Sequence, residues 1–290
     1  MKGELAVEAI SRKRLILRRF LANRLAVTGS ILVLLVILMA VLAPLITVYD
    51  PLAMKVADRL QPPGAEHWFG TDEFGRDVFS RVIYGSQISL QVGVAVVIIT
   101  SLGGMVLGLY SAYYRRLDLV IMSINDGMMA FPTILLAIAI IAALGPTIQN
   151  VIISISVVYI SRVARAVRAA ALVVREQTYI EAIRALGGTP ARIIWRHIAP
   201  NCLSPLIIQA TFIFAYAIII EASLSFLGAG TPPPQPSWGN ILNDGRTLIR
   251  QAWWIMIFPG CAVVMTVLGL NLIGDGLRDL LDPRTNKAKS

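Results

Sequence analysis

Charge is what this sequence has least of. Only 15% of its 290 residues are Asp, Glu, Lys or Arg, while 56% are hydrophobic and the mean hydropathy is +0.71. A water-soluble domain carries about 25% charged and roughly 45–50% apolar residues. The shortage excludes a soluble globule, because too little charge remains to cover its surface. Cysteine is nearly missing: Cys202 and Cys261 lie in different apolar blocks. Such a pair implies no disulfide framework, and both read as small buried hydrophobes. The two histidines, His67 and His197, are far apart and outside any HExxH spacing, so no metal site is expected. A phosphate-binding GxxxxGK(S/T) loop is absent. Its nearest approach, Gly70 to Gly75 followed by Arg76 and Asp77, lacks the lysine, so no ATP site of that kind is expected in this chain. Without HExxH, a GxSxG elbow or another convergent catalytic set, the chain does not read as an enzyme. The net charge of +9 lies between apolar blocks, with no basic face interleaved with aromatics, so nucleic acid is not expected as a partner.

What the sequence does have is long hydrophobic runs. Six stretches approach the ~20 apolar residues that a spanning helix needs, at about 25–46, 88–110, 119–144, 151–172, 203–222 and 254–273. The first is too long for a signal h-region of about 7–15 residues, and more spans follow it, so it reads as a retained helix. Twenty of the 26 Lys and Arg fall in the two terminal tails and the connections near 115 and 162–196; six fall on the other side. This bias predicts that both termini are cytoplasmic. The expectation is an all-α integral membrane protein in the lipid bilayer. Residues 1–87 would form a cytoplasmic segment, the first span and a large outer loop, and 88–290 a five-helix core. Within the outer loop, 77–84 mixes charged residues with Val78, Phe79, Val82 and Ile83, which suits a helix lying at the interface. Prolines 232–234 and 236 favour a stiff, extended segment. Basic and apolar residues at 10–25 suit either a helix along the inner surface or simple positive-inside charge.

The cytoplasmic connection at about 173–201 carries the most local information. Thr178-Tyr179-Ile180-Glu181 fits a capping box, with Thr178 as the cap and Glu181 three residues on. The helix then runs to Leu186, where Gly187 and Gly188 suit a left-handed C-terminal turn. Thr189 and Pro190 suit a second helix start, and Pro200 is expected to limit that helix. Tyr179, Ile183 and Leu186 share a face, with Ile180 beside them, and Ala182 and Ala185 leave room for close approach. A helix of about eight residues does not stand alone in water. A partner protein would cover the apolar face; packing on the chain's own spans or on headgroups is the alternative.

Two stretches here carry a resemblance: EAIRALG at 181–187 and RHIAPN at 196–201. Together they resemble the EAA signature of permease subunits in binding-protein-dependent ABC importers, which is Glu-Ala-Ala, three residues, Gly, nine residues, Ile-x-Leu-Pro. Glu181, Ala182, Gly187 and Pro200 match at the right spacing, while Ile183, His197 and Ala199 depart from it. HWFGTDEFGRDVFSRVIYGSQISL from His67, EASLSFLGAG from Glu221, PPPQPSWGN from Pro232 and NLIGDGLRDLLDPR from Asn271 are similar to the dipeptide/oligopeptide type. They look like the second of its two paralogous permeases. The resemblance implies a six-span type I ABC importer permease fold in the cytoplasmic (inner) membrane. Its partners would be a paralogous permease, two cytoplasmic ATPases and an extracytoplasmic substrate-binding protein. ATP and Mg would be held by the ATPases, and this chain would bind no cofactor. The implied coupling helix comprises Thr178, Tyr179, Ile180, Glu181, Ala182, Ile183, Arg184, Ala185 and Leu186, closed by Gly187. The implied cargo is di- or oligopeptide, with nickel or glutathione as the alternative within the family. A self-sufficient secondary transporter, the rival class, would show an intramembrane relay of ionisable groups or internal repeats. Neither stands out.

Within the apolar blocks, Gly104 and Gly108 read as a close helix crossing. Asp126, seven residues beyond Leu119 and so roughly 10 Å into the bilayer, is a candidate for the translocation path or a structural hydrogen bond. Glu221 reads as structural. Arg162, Arg165 and Arg168 read as snorkelling to headgroups, and Trp253-Trp254 as an outer aromatic belt.

Overall fold

The computed structural model describes residues 20–281. The region 10–19 of the basic N-terminal stretch lies outside them. The described residues are helical apart from loops and one isolated bridge between Thr71 and Asp77. Helix α1 is Arg24–Val41, started by the Asn23 side chain, which accepts from the amides of Leu25 and Ala26. Then follow α2 (Val78–Tyr113), α3 (Arg115–Met129), α4 (Thr133–Leu144), α5 (Ile148–Arg175) and the short α6 (Thr178–Ala185). Helix α7 runs over Pro190–Phe226, α8 over Trp238–Gly245 and α9 over Trp254–Leu281.

Four of these, α1, α2, α7 and α9, are long and apolar enough to cross a membrane, and α3 with α4 makes a fifth if that bent pair is one span. The pair bends by 98° between Met129 and Thr133, where Pro132 cannot continue a helix. The apolar stretch at 119–144 is therefore two helices, broken at Pro132. Helix α5 has the length, 28 residues, but four arginines reduce its apolar character.

Two further expectations need correction. The interfacial helix at 77–84 is not separate: Asp77 accepts from the Ser80 amide at 2.7 Å and starts a helix that runs unbroken for 36 residues. Val78, Val82 and Ile83 are buried in protein, so packing and not lipid covers that face. The division between residues 87 and 88 falls inside this helix. Nor does Pro200 end the helix begun at Pro190. A π-helical turn over Ile193–Ile198, in which Ala199 donates five residues back to Ile194, widens the spiral just where proline lacks a donor.

Two cores hold the helices together. One joins α2, α4, α5 and α7 through Val92, Val96, Ile155, Val163, Val167 and Ile213; the other joins α1, α8 and α9 to the start of α2. The Gly104/Gly108 expectation holds. A Cβ at Gly104 would lie 2.4 Å from Val163 Cβ and one at Gly108 would lie 2.6 Å from the Ala164 carbonyl oxygen, so only glycine lets α2 and α5 approach this closely. Cys202 is buried, as expected, but Cys261 is exposed on α9.

At one end of the bundle, loop 47–77 folds onto α8 and α9. Trp254 is buried and donates to the Thr71 carbonyl at 3.0 Å, so it ties the loop down instead of forming an aromatic belt with the exposed Trp253. Gly75 has φ +72°, and a Cβ there would lie 1.9 Å from the Lys55 carbonyl oxygen. The proline segment curls instead of extending: Asn240 Nδ2 donates to both the Thr231 and the Gln235 carbonyls.

Candidate functional site

The opposite end carries α6 and its surroundings. Arg175 closes α5 by donating to the Ala112 carbonyl at 2.6 Å, which fixes the chain beside the end of α2. Gln177, in an extended conformation, is then the N-cap, and its carbonyl accepts from the Ile180 and Glu181 amides. The cap therefore falls one residue earlier than Thr178, which sits inside the first turn, and no side-chain capping bond forms. The Glu181 side chain, freed of a capping role, is exposed and has no hydrogen-bond or ion-pair partner among the described residues.

The C-terminal end follows the sequence closely. Gly187 has φ +80° and donates to Arg184, while Gly188 donates to the Ile183 carbonyl at 2.9 Å. These two bonds make a Schellman motif, which only a residue tolerant of the left-handed region closes without strain. Thr189 stands at the N-cap, without a side-chain capping bond, and Pro190 opens the next helix as expected.

Burial divides the apolar residues of α6. Ile180 is fully buried in the core of α2, α5 and α7, with Ile183 packed against it. Tyr179 and Leu186 stay 45% and 87% exposed, and Ala182 lies exposed between them. Of the face read from sequence, Ile180 and Ile183 anchor the helix to its own chain, and Tyr179, Ala182 and Leu186 form the open stripe. The Arg184 guanidinium lies 5.8 Å from the Tyr113 ring centre, and Asn201 approaches the Tyr179 hydroxyl at 3.4 Å. The result is an amphipathic peg with one apolar edge left uncovered by the described residues.

Asp126 lies three residues before the end of α3, beside the bend, and is not near α6. It pairs with Arg165 at 2.5 Å, both side chains being about half or more exposed. Arg168 holds Asp118 through two N–H groups. Arg162 instead lies against the rings of Tyr159 and Tyr216. Side chains on α3, α5 or α7 thus partner each of the three arginines. Aromatic residues at i−3 from Arg162 and acids in α3 were the available signals, and only packing brings them together. Glu221 is structural, as expected. It is fully buried and accepts from Ser89, Ser225 and Thr231.

The loop end contains a network that the charge count overlooked. Asp72 accepts from Arg76 and Arg81, both arginines reach Asp244 on α8, and all but Asp244 are buried. Lys55 hydrogen-bonds Asp58 and holds that carboxyl below its usual range. Among the described residues no group of His, Cys, Asp and Glu could hold a metal ion.

Comparison with known proteins accounts for this arrangement. The model of the binding-protein-dependent transport system inner membrane component matches residues 104–287, and that of the N-terminal transmembrane domain of oligopeptide transport permease C matches 11–63. A protein of Brucella abortus (strain 9-941), named as a peptide transport system permease, is 55% identical over 92% of this chain and 90% of its own length. A dipeptide transport system permease of Alkalihalophilus pseudofirmus is 47% identical over 95% and 91%, respectively. A glutathione transport system permease of Escherichia coli O6:K15:H31 is 45% identical over 92% and 89%. The chain belongs to the family of binding-protein-dependent transport system inner membrane components, and it is a membrane permease subunit of the ABC-importer type.

Proposed function

We infer that this chain is one of two paralogous permeases of a peptide importer and that α6 is where ATP hydrolysis is coupled to it. Two ATPases would sit on the α6 side, which the Lys/Arg bias makes cytoplasmic together with both termini. A binding protein would deliver cargo to the loop end. With α5 counted, the chain crosses the bilayer six times. ATP and Mg belong to the ATPases, and this chain contributes no catalytic group.

The observation that carries the reading is the split burial of α6. Ile180 and Ile183 pack in the core shared by α2, α5 and α7, so a push on Tyr179, Ala182 and Leu186 would be passed to the spanning helices. Free Glu181 offers a carboxylate at the rim of the same surface. This surface lies within residues 178–187. Peptide cargo is supported by the relatives named for peptide and dipeptide transport, at 55% and 47% identity.

The test is purification of this chain from its own membranes in mild detergent. A second permease and two ATPases should co-purify. Leu186→Asp should release the ATPases while keeping the second permease. Recovery of the chain alone, under conditions that preserve comparable complexes, would sink the reading and revive a self-sufficient transporter. Uptake of labelled dipeptide, glutathione and nickel by the recovered assembly then separates the cargoes.

A further inference from the structure

The three arginines of α5 are spaced three residues apart, yet only two are neutralised. Asp126 and Asp118, both on α3, pair with Arg165 and Arg168. Arg162 meets no carboxylate among the described residues. Its guanidinium carbon lies 5.1 Å from the Tyr159 ring centre and 5.8 Å from that of Tyr216 on α7. The two rings stack 6.0 Å apart with planes 15° from parallel. Tyr159 is buried, Tyr216 is 43% exposed and Arg162 is half-buried, so this group opens on the surface of the single chain.

Its depth makes the opening significant. Arg162 is at the middle of the 28-residue α5, about 20 Å of helix from either end. With α5 centred on a hydrocarbon core of about 30 Å, Arg162 lies about 15 Å from either face, farther than an arginine side chain extends. A cation at this depth is not left facing lipid tails; it faces a water-filled cavity or a partner. The adjacent Asp126–Arg165 pair, also open, marks the same side of the molecule.

We propose that Arg162, held between Tyr159 and Tyr216, receives the carboxylate of the cargo as it passes through the membrane. The inference rests on the import reading above and narrows it. Aromatic faces attract the guanidinium as a whole while leaving its in-plane N–H groups unused. Those donors form a flat fork that fits a carboxylate through two parallel hydrogen bonds. Arg165 and Arg168 already have their charges matched by Asp126 and Asp118. An uncompensated cation at mid-membrane also repels a divalent metal ion, so the site selects an anionic cargo group such as a peptide C-terminus.

The experiment uses the complete assembly in proteoliposomes, with ATP-driven uptake of dialanine and of dialanine amide as readouts. The ratio of the two in a variant, divided by the ratio in the parent, removes the binding protein's own preference. Arg162→Gln should lower that ratio about tenfold, the scale of a lost charge-assisted hydrogen bond, with recovery of the assembly unchanged. Arg162→Lys, which keeps the charge but not the fork, should fall between. An unchanged ratio overturns the proposal. So does an equal fall in both probes together with loss of the second permease, which would mean that Arg162 pairs with a carboxylate of that subunit. No uptake of either probe by the parent overturns the peptide-cargo reading, and this inference with it.

Discussion

At the loop end, Arg81 is 2% exposed and sits between Asp72 and Asp244, Trp238 and Trp254 each spend their N–H on a backbone carbonyl, and Gly75 lies against Lys55. At the opposite end, Leu186 is 87% exposed and Glu181 has no partner. At the first end the buried charges Asp72, Arg76 and Arg81 are matched within the chain. The other is half of a structure, whose apolar edge makes physical sense only when another surface covers it. The contrast separates what holds this chain together from what it offers to others.

Mutations at the two ends should therefore fail differently. Asp72→Ala should do the most damage, because it strands Arg76 and Arg81 in a buried site. A loss of about 3–5 kcal/mol is expected, seen as early thermal aggregation in detergent. Retention of the parent's melting temperature would show that the network is solvated and break the comparison. Next, Ile180→Ala should cost about 3 kcal/mol through the cavity it leaves. Hydrogen exchange should then rise across residues 178–186 before it rises in α2 or α7. Gly187→Ala, at φ +80° with open space around it, should cost about 1–2 kcal/mol from backbone strain alone. A smaller loss than at Ile180, read in the same exchange experiment, would keep that order. Leu186→Ala should change the stability of the isolated chain by no more than about 0.5 kcal/mol. It should nevertheless weaken recovery of ATPases in the pull-down, and an effect on stability instead would mean that α6 is ordinary core.

Much of the candidate coupling surface was legible because its signals are local. Gly187-Gly188 and Thr189-Pro190 act over one turn of helix, so their geometry followed from the chain order. The cap moved from Thr178 to Gln177 because either residue supplies an extended backbone before the first turn, and tertiary position chose between them. The fate of the apolar face was not legible. Tyr179, Ile180, Ile183 and Leu186 lie within about 120° of one another on a helix, and no periodicity says that Ile180 enters the core while Leu186 stays exposed. Pro200 misled for a related reason: a π-turn absorbs the missing donor at a cost that packing around Ile193, Ile194 and Ile198 offsets.

The sequence by itself determined that this is a helical membrane protein, where most of its long helices lie, and that a short glycine-closed helix stands between two of them. Those properties come from composition, run length and turn chemistry, all of which act between near neighbours. The tertiary structure alone decided which charges are matched. Arg165 meets Asp126 across 39 residues, and Arg76 meets Asp244 across 168, whereas Arg162, only three residues from Arg165, meets rings instead. Ion pairing in a low-dielectric interior depends on a few ångströms of distance, and that distance is set by how α3, α5 and α7 pack against one another, which no local pattern records.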